Sequence, residues 1–254
     1  MDPVLSREIE YHEKLYSGFA QRHFARPAVR ALREHLARRI LRAAGAARPA
    51  RVLSLGCGIG DTELLLAPHV GELVGIDLSP AAIRQAREDA ARAGAAHLRF
   101  LEGSLDSLAL PAASFDLVIA IFLLHHLPDP ALQRVAAQVR SVLTPGGRFY
   151  SLDPSRYRLS GAIGRLLAPG LMRKYQTPDE RELDPQPTAA LFRRAGFDCR
   201  ARYYDFLSTP LAGLLPGWRV GYRAARFADE ALIRLPLVQK LGSNFELLAR
   251  LPVA

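Results

Sequence analysis

The sequence predicts an α/β chain organised on a doubly wound, mostly parallel sheet, and three observations carry that expectation. Short apolar segments alternate with amphipathic helical ones along most of the chain. The apolar segments are continuously hydrophobic rather than alternating, as expected of strands covered on both faces. The first of them, within "RVLSLGCGIGDTELLL" (Arg51 to Leu66), runs into three alternating glycines and leaves through Asp61 and Thr62 into a helical pattern. A strand, a glycine turn and a helix in that order place a ligand at the carboxyl end of the sheet.

Taken in order, residues 7–48 carry apolar residues at helical spacing, broken near Pro27, with a strongly basic face opposite Val29, Leu32, Leu36, Ile40 and Leu41. This stretch is expected to form a helical N-terminal lead-in or cap (1–48) ahead of a ligand-binding domain (49–254). Val52 to Leu55 is a first strand, and "ELVGIDLS" is a second ending at Asp77, after which Ser79 and Pro80 open a helix. "LRFLEGS", "FDLVIAIF" and "GGRFYSLD" supply strands three to five, with a helix around "ALQRVAAQVRSVL" before the fifth. "TAALFRRAGFDCRARYYDF" gives a helix and a sixth strand, and "SNFELLARL" a seventh. These last two are expected to form an antiparallel edge. Two insertions, at about 154–187 and 207–242, are too long for turns and are candidate caps over a substrate.

Composition narrows the function classes. A chain of 254 residues that is 49% hydrophobic buries a core of ordinary size. Its longest apolar stretch, Leu117 to Leu124, falls well short of the ~20 residues that cross a bilayer. The opening "MDPVLSREIEYHEK" places charges where a signal peptide carries its apolar run, so a cytoplasmic location is expected. Two cysteines, Cys57 and Cys199, make neither a disulfide framework nor a metal cluster, and no metal is expected. The net charge is +9 and only three of the 34 basic residues are lysines, but arginine and alanine are spread throughout without a dense basic block. No nucleic-acid partner is expected.

A dinucleotide loop spaces its glycines as G-x-G-x-x-G, with the pyrophosphate on the following helix. Here the third glycine comes one position early, and the Asp61 carboxylate would repel a pyrophosphate. A phosphate-free, positively charged ligand suits the loop better, and S-adenosylmethionine is one. "VLSLGCGIGD", "GIDLS", "FDLVIAIFLLHHLPDP" and "LTPGGRFYSLDP" are together similar to the successive motifs of class I S-adenosylmethionine-dependent methyltransferases, the group that includes the ubiquinone/menaquinone C-methylases. The resemblance covers residues 50–153 in detail. It implies a Rossmann-like fold and a cofactor set of Gly56, Cys57, Gly58, Gly60, Asp77, Leu78, Ser104, Leu105 and Ile121. Asp77, 21 residues past Gly56, matches the acid that accepts hydrogen bonds from both ribose hydroxyls. Two positions depart from the pattern. Ser54 stands where many relatives have an acid, and Ser104 where relatives often have Asp, with Asp106 as an alternative.

The activity implied is transfer of a methyl group by direct in-line displacement, with S-adenosylhomocysteine as product and no metal. Aligning acceptor, methyl and sulfur is worth about 7–11 kcal/mol. His125 is the candidate general base, against the reading that the "LLHHLPD" turn is structural. Tyr11 and Tyr16 on the lead-in, with Arg156, Tyr157 and Tyr175 in the first insertion, are candidate substrate residues. The second insertion carries Leu211, Leu214, Leu215, Trp218, Val220 and Tyr222 beside Arg223, Arg226, Arg234 and Lys240. Its composition fits a peripheral membrane contact, a pocket roof, core packing or a homodimer interface. The acceptor class implied is a small hydrophobic molecule (lipid, isoprenoid or polyketide-like) methylated on oxygen or carbon. A non-catalytic S-adenosylmethionine-binding protein is the main alternative, and a NAD-dependent oxidoreductase, disfavoured by Asp61, is the other.

Overall fold

The computed structural model describes residues 23–45, 49–167 and 181–253. Seven strands form one sheet in the order β3-β2-β1-β4-β5-β7-β6. They are β1 (Arg51–Leu55), β2 (Glu72–Asp77), β3 (Leu98–Glu102), β4 (Phe115–Ile121), β5 (Leu143–Pro154), β6 (Asp198–Asp205) and β7 (Asn244–Arg250). β1 to β5 pair in parallel, and β7 runs antiparallel to both β5 and β6. The strand order reverses between β1 and β4, the place where open sheets of this kind leave a crevice. The helices are α1 (Pro27–Ala44), α2 (Asp61–Leu66), α3 (Pro80–Arg92), α4 (Asp129–Val142), α5 (Leu159–Leu167), α6 (Pro185–Arg194), α7 (Ser208–Leu214) and α8 (Arg219–Leu232).

Side-chain alternation along β1 explains the layers. Val52 faces the cluster formed with α1 and α3, whereas Leu53 and Leu55 face the cluster formed with α4 and α6. Local sequence sets the helix ends. Pro27 occupies the first turn of α1, and Gly45 ends it at φ +98°. At α3, Ser79 Oγ accepts from the Ala82 N–H at 3.1 Å.

The described part of the lead-in packs into the core: Leu36 and Ile40 are fully buried, and Arg39 forms a two-pronged ion pair with Glu246 on β7. The second insertion packs its two helices on α1 and β6, with the Ala28 N–H donating to the Pro216 carbonyl at 2.8 Å. The ends of the first insertion meet through the Ser155–Leu183 bridge, and residues 168–180 lie outside the described residues.

Between α1, α8 and the antiparallel strands lies a buried polar layer. Tyr150 Oη donates to Glu246 at 3.0 Å, and the Arg39 and Arg226 guanidiniums lie 5.3 and 5.0 Å from the Tyr204 ring centroid. His35 sits in this layer, 6.0 Å from Tyr204 between ring centroids. Burial first, then Arg226, Arg39, Arg38 and Arg42, lower its pKa to about 3. His35 is thus neutral in the folded chain and takes up a proton on unfolding below about pH 6.5. Its contribution is complete above the unfolded value and is lost as pH falls towards 3, amounting to about 2 kcal/mol at pH ~5. Glu63, described below, acts in the opposite direction. The comparison is therefore between proteins: on moving from neutral pH to pH ~5, His35→Gln should lose less thermal stability than the wild type in scanning calorimetry. Equal losses would contradict the assignment.

Candidate functional site

The glycine turn is built by backbone conformation. Gly56, Gly58 and Gly60 have φ of +63°, +53° and +74°, a region that side-chain-bearing residues rarely adopt. They serve different ends. A Cβ on Gly56 would come within 2.7 Å of the Leu123 side chain, and one on Gly60 within 2.8 Å of Phe100 and 3.2 Å of Ala86. Gly60 therefore allows α2 to pack against its neighbours, while Gly56 borders the crevice.

Asp77 closes the turn from the end of β2. Its Oδ2 accepts from the Gly58 N–H at 2.8 Å and its Oδ1 from the Ser79 N–H at 2.9 Å. A carboxylate has about four lone-pair sites, and these two bonds fix its orientation at the end of β2. Beside it opens a cavity lined by Gly56, Asp77, Leu78, Gly103, Ser104, Leu105, Asp106, Phe122, Leu123, His126 and Gln138, among others.

The cavity sorts the expected cofactor residues. Gly56, Asp77, Leu78, Ser104 and Leu105 line it together. Cys57 does not: its side chain is buried in the α1-face core, where a Cβ on Gly75 would approach its sulfur to 2.9 Å, so only its backbone belongs to the turn. Burial pushes the Cys57 thiol well above its ordinary range, which makes it unreactive. Ile121 also packs towards that core, and the wall is made by the next residue, Phe122, at φ +54°. Ser104 and Asp106 both reach the cavity. The Ser104 N–H donates to Ser107 Oγ at 2.7 Å, and Asp106 accepts from Gln138 and lies 3.7 Å from Arg134.

Glu63, in the first turn of α2, was not evident from the motif spacing. Ser54 Oγ donates to its Oε1 at 2.6 Å, while its Oε2 has no hydrogen-bond partner among the described residues. The side chain is 2% exposed, and burial pushes its pKa up to about 7. The helix thus sets a carboxyl group against Ser54, behind the residues that line the cavity. The signal was the Glu of "GDTELLL", whose helical position turns it back over the strand. Asp61 is not a bare charge either, because Arg33 Nε of α1 pairs with it at 2.9 Å. The case against a pyrophosphate therefore rests less on Asp61 than the sequence suggested.

At the ends of β4 and β5, one Asp153 oxygen accepts from the His125 backbone N–H at 3.2 Å and lies 3.0 Å from His125 Nδ1. Asp153 is fully buried and His125 is 4% exposed. The His125 and His126 rings are 4.0 Å apart, yet they divide the work: His125 is tied to Asp153 and His126 lines the cavity. Arg156 and Tyr157 do not line it. The Arg156 guanidinium lies over the Tyr157 ring, whose hydroxyl donates to Asp184 at 2.5 Å beyond the end of β5. Tyr11, Tyr16 and Tyr175 lie outside the described residues. Among the described residues no group of three metal-binding side chains occurs.

A doubly wound sheet with an oriented acid after β2, a buried carboxyl beneath the glycine turn and a cavity at the switch point makes this the candidate ligand site of the fold. Comparison with known proteins gives the family. Residues 52–147 match the model of a methyltransferase domain. The chain is 35% identical over 190 residues to the demethylmenaquinone methyltransferase of Deinococcus radiodurans, covering 66% of this chain and 75% of that protein. It is 34% identical over 103 residues to an uncharacterized methyltransferase of Bacillus subtilis, covering 41% of this chain and only 40% of the relative. Among solved structures, phosphoethanolamine N-methyltransferase 2 of Haemonchus contortus, in complex with S-adenosylhomocysteine, superposes with a TM-score of 0.60 at 16% identity, over 87% of this chain and 53% of that one. The [4+2]-cyclase SpnF does so with 0.61 at 20%, over 87% and 81%. Likenesses this distant establish the fold alone. The chain belongs to the class I S-adenosylmethionine-dependent methyltransferase family.

Proposed function

We propose that the protein transfers a methyl group from S-adenosylmethionine to an oxygen or carbon of a small hydrophobic acceptor, and that the buried His125–Asp153 pair assists removal of the acceptor's proton. The observation that carries this reading is the pair itself, buried behind the cavity wall with the His125 ring 4.0 Å from that of the cavity-lining His126. When bound, the sulfonium supplies an activated methyl group, so the protein's tasks are alignment, exclusion of water and proton removal. Asp77 would hold the ribose diol and the Ser104–Leu105 turn the adenine edge. Asp153 takes the Nδ1–H of His125, which fixes the ring and makes Nε2 its basic nitrogen. The quinone methyltransferase relative supports an apolar, oxygen-bearing acceptor. The test is formation of S-adenosylhomocysteine from a panel of phenols, hydroquinones and isoprenoid quinols. Binding of the cofactor without turnover across such a panel would favour the non-catalytic alternative.

Glu63 is assigned here to the methionine ammonium, as the counter-charge that its uncommitted oxygen lacks. Cofactor binding then requires the ionised carboxyl. Because its pKa stands at about 7 in the folded chain, with Asp61, Arg33 and Cys57 as the charged or titratable neighbours, affinity should tighten as pH rises from about 5.5 to 7.5. Glu63→Gln should weaken S-adenosylhomocysteine binding about tenfold or more and flatten this pH slope, while binding of 5′-methylthioadenosine, which lacks the amino acid, stays unchanged. Equal weakening of both ligands in titration calorimetry would return Glu63 to a structural role.

A further inference from the structure

The second insertion leaves an apolar face uncovered. In α8, Gly221, Tyr222, Ala225, Arg226 and Asp229 are buried towards α1 and β6. Val220, Ala224, Phe227 and Ala231 recur at i, i+4, i+7 and i+11 and so form one stripe on the opposite side, where Val220 is 73% and Phe227 80% exposed. The chain enters α8 through the half-exposed Trp218 and leaves it through Leu235 and Leu237, the latter 83% exposed. Isolated exposed apolar side chains are ordinary, but a continuous stripe with apolar residues at both ends marks a contact surface.

The charges beside the stripe indicate what it contacts. Arg223 lies on the exposed side of the helix, Arg234 follows two residues past its end, and Lys240 lies in the short helical turn Val238–Leu241, all three exposed. None of the three has a carboxylate partner within 4.0 Å among the described residues. On the acidic side, Asp229 is fully buried, with both oxygens accepting the backbone N–H groups of residues 206–208, and Glu230 lies 4.0 Å from the buried Arg226. The exposed face is therefore apolar at its centre, with the three cations around it outnumbering the one exposed acid of α8, Glu230, which is 52% exposed beside Arg223, on a chain of net charge +9.

We propose that this face docks the protein on an anionic lipid surface, with Val220, Phe227, Leu235 and Leu237 entering the headgroup boundary and Arg223, Arg234 and Lys240 meeting lipid phosphates. An amphipathic helix with basic flanks lies in the interface plane in this way. A second copy of the chain fits less well, because it brings the same uncompensated cations to the contact. Among the described residues no helix is long and apolar enough to cross a membrane, so the contact is peripheral. Trp218, the sole tryptophan of the chain, sits at the edge of the face and reports on it directly.

The test is flotation of the full chain with phosphatidylcholine vesicles, with or without phosphatidylglycerol, while Trp218 emission is recorded. The wild type should float with the anionic vesicles only, with a blue shift of emission and release by high salt. Phe227→Ser/Leu237→Ser and Arg223→Glu/Arg234→Glu should each lower the bound fraction about tenfold. Both variants should keep wild-type S-adenosylhomocysteine affinity, which separates failure of this proposal from failure of the cofactor site. Absence of flotation by the wild type, equal binding to neutral vesicles, or undiminished binding by both variants would overturn it. So would a concentration-dependent dimer that Phe227→Ser/Leu237→Ser abolishes in the absence of vesicle binding, which would assign the face to a second copy.

Discussion

Asp77→Ala is expected to weaken S-adenosylhomocysteine binding by at least about a hundredfold. In the proposed binding mode, two charge-assisted hydrogen bonds to the ribose diol would be lost, at about 1.5–3 kcal/mol each. The same change unties the turn, because Asp77 also accepts the Gly58 and Ser79 N–H groups. Titration calorimetry on a variant shown to be folded by circular dichroism measures it directly. Asn at this position keeps one acceptor but turns an amide NH2 towards the backbone N–H or the ligand, so an intermediate loss is expected. Wild-type affinity in Asp77→Ala would remove the site described here.

The second large effect belongs to Asp153. Its replacement by Ala leaves the buried backbone N–H and ring Nδ1–H of His125 without their acceptor, at a cost of about 3–5 kcal/mol. For a chain of this size that corresponds to a melting temperature lower by about 10 °C. Asp153→Asn separates structure from chemistry, since its carbonyl oxygen still accepts both bonds while the negative charge disappears. It should melt within a few degrees of wild type, as expected at about 2–4 °C per kcal/mol, and bind S-adenosylhomocysteine normally. Its rate of methyl transfer to an acceptor found by the screen should fall about a hundredfold. An unchanged rate would leave the pair a purely structural device.

The sheet was legible because each strand is a short, continuously apolar run bounded by its own punctuation. Gly56 after β1, Ser79–Pro80 before α3 and Gly146–Gly147 in the stretch opening β5 are local signals that tertiary contacts did not override. The place of Asp77 at the end of β2 was legible for the same reason, from the apolar run that precedes it. What sequence order hid was register across elements. Whether Ile121 or Phe122 faces the cavity depends on a left-handed residue at the strand end. Glu63 was missed because its carboxyl acts at Ser54, nine positions away, through the turn of α2. The basic face of the lead-in likewise carries no mark of its partners, which lie far along the chain: Arg39 turns inward to Glu246 and Arg33 to Asp61.

That inward turn has a consequence for how the protein is made. Arg39 and Glu246 are separated by 207 positions, and α1 also packs on β4, β5 and the helices of the second insertion. During synthesis, the first helix of the described chain emerges long before the strands and the carboxylate that complete its environment. Until β7 arrives, the apolar side of α1 and its unmatched guanidinium have no finished seat, so the nascent chain must carry that surface through most of its translation. Dependence on a holdase, or on a slow final step when the last strand is released, is the expected signature of a clasp between the earliest and latest elements.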